Sequence, residues 1–257
     1  TIDVASGKTL TYSGTAIGVG EHTITLTGGG NFASGGIILD DASSKLVLNP
    51  ITLDIVSTSA NSLGLDVDAN STLASLSVGH ITPLSIAAGA SLDGAITVSA
   101  GSIKLNETGT LASAVSMLGG TLDVDETSTL SGALTQSGTI TIDVLTDKTL
   151  TYSGAALNLG ANTLTLIGGG TLSNTNALVL NNADSLLSLS GITTLGDIDG
   201  TAASNAGKGV RVRSSATMGD YDLSAVSYLS IGGSGVTLAG QLNLNPGGEI
   251  FTSGEGK

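Results

Sequence analysis

Apolar and polar residues alternate in short stretches along the whole chain, and each stretch ends at a turn rich in Gly, Asn, Asp or Ser. The segments Ile103-Lys104-Leu105, Leu122-Asp123-Val124 and Ile140-Thr141-Ile142 show this pattern, with one polar residue between two apolar ones. A period of two predicts a β-strand that buries one of its faces. Apolar residues do not recur at helical spacing, and the scattered glycines disfavour helices. We therefore predict an all-β fold.

The predicted strands recur at a nearly constant spacing. Polar turns followed by a leucine anchor end at Leu73, Leu92, Leu111, Leu130 and Leu150, so the anchors are almost evenly spaced along the chain. Such short strands cannot bury an apolar face alone, whereas stacked copies cover one another. Equal spacing with aligned turns favours stacking over a β-sandwich, whose strands recur every 8–12 residues or so. We predict a right-handed parallel β-solenoid, or β-helix, with rungs of about 19–22 residues and about 13 rungs along a rod of roughly 60 Å.

A longer repeat is superimposed on the rungs. Residues 1–32 begin TIDVASGKTLTYSG, and residues 141–172 begin TIDVLTDKTLTYSG. The similarity predicts a unit of roughly 140 residues that is present almost twice. We expect one elongated solenoid over residues 1–257, divided into a first copy at 1–140 and an incomplete second copy at 141–257.

The composition narrows the possible architectures and partners. Aromatic residues make up 2% of the chain, which suits a narrow core filled by Leu, Ile and Val. The net charge of −13 gives an acidic surface that repels phosphate backbones, so we expect no nucleic-acid partner. No apolar run approaches the length of a membrane span, so we expect no membrane insertion. Cysteine is absent, which leaves no disulfides or thiolate metal sites.

Paired aspartates in the turns are candidate oxygen ligands for Ca²⁺. The calcium-binding repeat G-G-x-G-x-D has its nearest match at residues 232–237, where Thr237 replaces the ligand Asp. Solvated carboxylates that keep a rod soluble also account for such turns. We therefore expect no cofactor and keep Ca²⁺ as an alternative, with the candidate ligands Asp66, Asp68, Asp123, Asp125, Asp220 and Asp222.

The sequence offers little for catalysis. A glycosidase on a β-helix needs two carboxylates beside a sugar-binding groove, and the few aromatic residues leave few platforms for sugar rings. Arg211 and Arg213 occupy alternate positions of one predicted strand, where structural pairing explains them as well as a lyase would. A catalytic site is a local exception, and the repeat is regular nearly throughout. We predict that the chain is not an enzyme, and we keep a polysaccharide-active β-helix enzyme as an alternative.

Hydroxyl residues on outward positions suggest one further alternative. Thr97, Ser116 and Thr135 occupy equivalent places in successive rungs, as in the ladders of ice-binding solenoids. Such ladders also stabilise stacked strands through cross-strand contacts. Ice binding therefore stays an alternative to a structural role.

The turn-Thr-Leu rungs, with GALT at 132–135 and GGGTL at 168–172, resemble the repetitive stalks of bacterial surface proteins such as autotransporter passengers and filamentous adhesins. The resemblance implies an extracellular or cell-surface location and a role in adhesion or matrix formation. We expect a structural repeat protein that forms part of a surface fibre, sheath or adhesin stalk. A ligand- or carbohydrate-binding adhesin domain is an alternative, and residues 191–228, where the short period is hardest to follow, are its candidate site.

The ends of a solenoid expose unpaired strand edges, which stable solenoids cover. Residue 1 begins at the same phase as residue 141, and neither terminus shows an amphipathic capping helix. We therefore expect the ends to contact copies of the same protein or adjoining repeats, with surface glycans as possible further partners. The residues expected in the joints are Thr1, Ile2 and Val4 at one end and Ile250 and Phe251 at the other.

Overall fold

A computed structural model describes residues 1–255, and every regular element in this range is a β-strand. The strands form two long sheets in which each strand pairs in parallel with its equivalents in neighbouring rungs. The result is a β-solenoid of about 12 turns, which confirms the predicted fold class. Within the described range there is no helix that is long and apolar enough to cross a membrane.

The first sheet takes one strand from each rung and orders 13 of them along the axis. Its strands are β1 Ile2–Asp3, β4 Thr23–Thr27, β7 Lys45–Asn49, β9 Gly64–Val67, β11 Ile81–Ile86, β13 Ser102–Leu105, β16 Thr121–Val124, β19 Ile140–Val144, β22 Thr163–Ile167, β25 Leu186–Leu189, β28 Gly209–Val212, β30 Val226–Gly232 and β32 Glu249–Glu255.

The second sheet takes either one long strand or two short strands from each rung. Its strands are β2 Thr9–Thr11, β3 Ile17–Gly18, β5 Asn31–Ala33, β6 Ile37–Leu39, β8 Thr52–Thr58, β10 Ser71–Val78, β12 Ser91–Val98, β14 Thr110–Leu111, β15 Ala114–Met117, β17 Ser128–Leu130, β18 Leu134–Gln136, β20 Thr149–Tyr152, β21 Leu157–Asn158, β23 Thr171–Asn174, β24 Leu178–Leu180, β26 Thr194–Leu195, β27 Ile198–Gly200, β29 Ala216–Leu223 and β31 Leu238–Leu244.

The length of a rung varies along the axis. A short rung separates Leu46 from its partner Leu65, whereas a longer one separates Ile2 from its partner Leu26. The second copy of the long repeat also opens with a long rung, since Ile142 pairs with Leu166. The longest rungs therefore exceed the expected length slightly, and one of them opens each copy of the long repeat.

The register differs from the sequence alignment at two junctions. Leu122 pairs with Ile142 and not with Ile140, so Asp123 lies beside Asp143 rather than Thr141. In the second sheet Leu130 pairs with Tyr152, two positions beyond the anchor expected for it. Such a slip by an even number of positions keeps every side chain on the same face of its strand, so the alternating pattern cannot detect it.

The core is a narrow column of aliphatic side chains between the two sheets. Leu, Ile and Val from nearly every rung are fully buried, and each contributes roughly 1.5–3 kcal/mol relative to an exposed position. The largest fully buried side chains are Tyr152, Tyr221 and Phe32. This packing matches a composition rich in aliphatic residues and poor in aromatic ones.

The same turn chemistry recurs in both copies of the long repeat. The Ser44 hydroxyl donates to the Gly20 carbonyl at 2.7 Å and accepts from the Asp41 backbone N–H at 2.9 Å. Ser185 does the same with Gly160, at 2.6 Å, and with Asn182, at 3.1 Å. Both serines are completely buried, so these bonds satisfy polar groups that water cannot reach.

Candidate functional site

One lysine lies among three aspartates on the outer face of the first sheet. The Lys104 ammonium lies 3.1 Å from a carboxylate oxygen of Asp123 and 3.1 Å from one of Asp125, and Asp143 occupies the next rung beside Asp123. The hydrogen bonds to Asp125 and Asp123 raise the pKa of Lys104. The pKa of Asp123 is raised, first by its partial burial and then by the charges of the nearby carboxylates. Together these effects outweigh the hydrogen bond from Lys104, which lowers that pKa. Burial and the charge of Asp125 likewise raise the pKa of Asp143.

The remaining calcium candidates lie in separate places. Asp66 pairs with Lys45, at 2.5 Å between Nζ and Oδ2, and Asp68 is exposed in the following turn. Asp220 and Asp222 accept hydrogen bonds from the Asn243 side-chain amide at 3.4 and 2.9 Å. Across residues 1–255, no group of three or more His, Cys, Asp or Glu side chains is arranged to hold a metal ion.

A second acidic column lies near the other end of the solenoid. Asp199 pairs with Asp222 of the next rung. Burial, together with the charges of Asp222 and Asp197, raises the pKa of Asp199. In both columns the chain stacks like charges one above another, an arrangement that destabilises the sheet where both carboxylates are ionised.

The features proposed for binding or catalysis lie in the stacked sheets. In residues 191–228 the first sheet continues without interruption through β28, whereas in the second sheet β29 shifts its register against β31 between Thr217 and Asp220. Arg211 lies on the outer face of the first sheet, between Ser188 and Ser230. A surface groove lined by the turns at Pro50, Asp68–Asn70 and Ala88–Ala90 contains one carboxylate and no aromatic ring.

The hydroxyl ladder of the second sheet is longer than expected. Thr97 pairs with Ser116 and Ser116 with Thr135, as aligned from the sequence. Ser57 and Ser77 extend the same column on the other side of Thr97. The column therefore gives the wall an unbroken run of hydroxyl side chains from Ser57 to Thr135.

The first rung exposes two large apolar side chains that were not predicted from the sequence. Leu10 and Tyr12 are each 44% exposed at the outer end of the stack. Of the residues expected at this joint, Val4 is buried and Ile2 is half-buried, whereas Thr1 is exposed. The exposed pair belongs to a segment that the sequence repeats without change, Lys-Thr-Leu-Thr-Tyr-Ser-Gly at residues 8–14 and 148–154. This repetition was the signal that could have drawn attention to the pair.

The second copy of that segment shows what covers these side chains inside the solenoid. Leu150 and Tyr152 are 0% and 2% exposed, and their strand pairs in parallel with β17 of the preceding rung. The Tyr152 hydroxyl donates to the Ala155 carbonyl and accepts from the backbone N–H of Leu134, at 3.1 Å. The covering rung also supplies Glu126, which binds the Lys148 ammonium at 2.6 Å.

The last described rung has a similar apolar surface. Leu242 and Leu244 are 43% and 56% exposed, and they pair with the buried residues Tyr221 and Leu223 of the rung before. Phe251 is also exposed and stacks on the Tyr228 ring at 5.5 Å between ring centroids, while Ile250 packs against the core. Both ends of the described solenoid therefore present core side chains to solvent.

These features define the class of the molecule as a repetitive β-solenoid. Comparison with known proteins adds no narrower assignment, since no protein-family model, curated protein or solved structure matches the chain.

Proposed function

We propose that this chain is an extracellular structural repeat protein that forms part of a surface fibre, sheath or adhesin stalk by end-to-end stacking of β-solenoid units. The observation that carries the proposal is the mutual burial of successive rungs: the interior residues Leu150 and Tyr152 are covered by the rung before them, so each rung offers an apolar face to a further rung. Leu10 and Tyr12 lie on such a face at one end of the described stack, and Leu242 lies on one at the other. These residues belong to the columns that form the core elsewhere.

Burial of these side chains provides the driving force for stacking. Each large apolar side chain that becomes fully buried contributes roughly 1.5–3 kcal/mol. The end strands also carry unpaired backbone groups along one edge, which another strand can satisfy by β-augmentation. The interior copy of the repeated segment supports this argument, because the equivalent Leu150 and Tyr152 are buried where β17 of the preceding rung pairs with their strand.

The side walls carry separate exposed apolar residues, such as Ile55 and Leu63, among polar and charged ones. They present hydroxyl ladders such as Ser57 to Thr135 and charged positions such as Lys104 with Asp123 and Asp125. Charged side chains and an overall charge of −13 oppose unspecific lateral association. Contact through the ends extends the rod without requiring any change of its walls.

Electron microscopy and sedimentation of the purified chain test the proposal. We expect rods of constant width whose length increases with protein concentration. Leu10→Asp places a charge in the joint and is expected to abolish elongation. Leu118→Asp is the matched control, because Leu118 is similarly exposed, at 49%, but follows β15 in the middle of the stack. A wild-type chain that stays monomeric at every concentration contradicts the stacking function.

The extracellular location needs a separate test. Antibody labelling of intact source cells is expected to detect the protein on the surface. Labelling that appears only after the cells are permeabilised contradicts this part of the proposal.

A further inference from the structure

The chain contains two Asp-Gly sequences, and the fold places them in different surroundings. They are Asp93-Gly94 in β12 and Asp199-Gly200 in β27. An aspartate before glycine isomerises readily, because glycine has no Cβ that hinders its main-chain nitrogen. We propose that Asp93 is a site of spontaneous conversion to isoaspartate, and that strand pairing protects Asp199 from the same reaction. This inference is independent of end-to-end stacking.

The reaction needs only the two residues and water. The main-chain nitrogen of Gly94 attacks Cγ of the protonated Asp93 carboxyl group, a C–N bond forms, and the nitrogen proton and a carboxyl hydroxyl leave as water. Water then adds to the cyclic imide. Breakage of the bond between the nitrogen and the former main-chain carbonyl carbon gives isoaspartate, whose main chain runs through Cβ and Cγ. Breakage of the other C–N bond restores aspartate.

At Asp93 the reacting groups already face each other. The Gly94 N–H donates to Oδ1 of Asp93 at 2.7 Å, so the nitrogen lies against the carboxyl group that it has to attack. Asp93 is exposed, which lets water reach the imide. Gly94 has a φ of 125°, and a Cβ at this position would collide with the Leu73 carbonyl oxygen. The fold therefore requires glycine at the position that makes the aspartate reactive.

The strand pairing around Asp93 is interrupted on both edges. On the edge that faces the following rung, β14 pairs with residues 91–92 and β15 pairs with residues 95–98, so Asp93 and Gly94 lie at the gap between them. On the other edge, the register with β10 shifts after Gly94. Main chain at such an interruption changes its torsion angles more easily than main chain in a regular ladder. This freedom allows the nitrogen to approach Cγ.

Asp199 lies in an uninterrupted ladder. Residues 198–200 pair in register with residues 178–180 on one edge and with residues 221–223 on the other. Gly200 is also buried. Cyclisation of Asp199 must therefore first break ladder hydrogen bonds, which slows the reaction.

Ageing of the purified chain in water enriched in heavy oxygen tests the inference, because each passage through the imide introduces one heavy oxygen atom. The folded chain is kept for several weeks at mildly acidic pH and is then digested with trypsin in ordinary water. Cleavage after lysine places the two sites in separate peptides, residues 46–104 and 149–208. Fragmentation in the mass spectrometer locates the heavy oxygen, and labelling by an isoaspartyl methyltransferase identifies the product.

In the folded chain we expect isoaspartate at Asp93 and heavy-oxygen uptake there at least about tenfold faster than at Asp199, a difference of about 1.4 kcal/mol between the two barriers. In guanidinium chloride, where the strand pairing is lost, the two sites should react at similar rates. Asp93→Glu is the control variant, because its longer side chain would have to close a larger ring. It should stop the uptake at this position.

Three results would overturn the inference. The first is a folded chain that forms no isoaspartate at Asp93. The second is a folded chain in which Asp199 reacts as fast as Asp93 or faster, because strand pairing would then not control the reaction. The third is a preference for Asp93 that persists unchanged in guanidinium chloride. None of these results bears on end-to-end stacking, which the concentration dependence of rod length tests separately.

Discussion

Residues 8–14 and 148–154 have the same sequence, Lys-Thr-Leu-Thr-Tyr-Ser-Gly, but one copy lies at the end of the described stack and the other lies inside it. Leu10 and Tyr12 are each 44% exposed, whereas Leu150 and Tyr152 are 0% and 2% exposed. Both copies form a strand, so the difference arises from the rung that covers the second copy and not from local conformation. A rung of this solenoid therefore supplies half of a core, and its neighbour supplies the other half.

The largest expected effect is a difference in stability between alanine variants of the two equivalent leucines, Leu150 and Leu10. Leu150→Ala should lower the free energy of unfolding by about 2–5 kcal/mol, because it leaves a cavity in a closed column. Leu10→Ala should change it by less than about 0.5 kcal/mol in the monomer, because solvent already reaches the side chain. Urea denaturation of both variants at low protein concentration measures the two values. Equal losses would show that the end rung is not the open site that we describe.

The tyrosine pair is expected to give a smaller contrast. Tyr152→Phe removes the acceptor for the Leu134 N–H and should cost about 1–3 kcal/mol. Tyr12→Phe should leave the stability of the monomer nearly unchanged, since no rung covers its hydroxyl. The same denaturation experiment compares them, and a neutral Tyr152→Phe would mean that the bond to Leu134 contributes nothing.

The two copies of the long repeat also differ at one turn residue whose backbone is left-handed. Asp147 has a φ of 63°, and the equivalent residue of the first copy is Gly7, with a φ of 70°. Asp tolerates this left-handed conformation and a β-branched residue does not. Asp147→Gly should therefore change stability by less than about 0.5 kcal/mol, and Asp147→Val should cost about 1–2 kcal/mol. A stable Asp147→Val variant would show that the turn relaxes to another conformation.

The smallest expected effect concerns pH and the charged wall. The pKa values of Asp123, Asp143 and Asp199 are raised above the usual 3.8, mainly by burial, so the folded chain binds protons more tightly than the unfolded chain. Stability should then increase as the pH falls from 7 toward about 4.5, because protonation removes charges that folding disfavours. The raised pKa of Lys104 means that its charged form stabilises the folded chain. This stabilisation is lost at alkaline pH, as the pH rises above 10.5.

Thermal melting across this pH range measures the effect. Asp143→Asn removes one of the stacked carboxylates and should raise the melting temperature at pH 7 while reducing the increase seen on acidification. A wild-type melting temperature that falls steadily between pH 7 and 4.5 would contradict the pKa shifts. Because Asp143 lies in an interior rung, between β16 and β22, this variant should leave elongation intact.

The sequence predicted the architecture well because the strands of a solenoid recur at a short and nearly constant spacing along the chain. Alternating residues and evenly spaced leucine anchors predicted the rungs, and the alignment of Ile103-Lys104-Leu105 with Leu122-Asp123-Val124 already placed Lys104 beside Asp123. The junction after Leu122 was assigned wrongly, since a slip by an even number of positions preserves the inward face. The longest rungs were missed because the alternating pattern marks the strands and does not specify how many turn residues separate them.

The candidate joint was harder to predict for a different reason. Exposure of Leu10 depends on which rung lies above it, and identical sequences at residues 8–14 and 148–154 carry no information about that neighbour. Alternating aspartates were visible in the sequence, but their distribution among Lys45, Lys104 and Asn243 depends on the register between rungs. Local patterns thus identified the building unit, whereas the surfaces available for contact required the three-dimensional order of the units.

Hydrogen exchange followed by mass spectrometry tests the central claim most directly, because it reads residues 8–14 and 148–154 in one sample. At low concentration we predict fast exchange in the first segment and slow exchange in the second. At a concentration where the chain elongates, the first segment should become as protected as the second, which should not change. Continued fast exchange of residues 8–14 in the elongated protein would contradict the account.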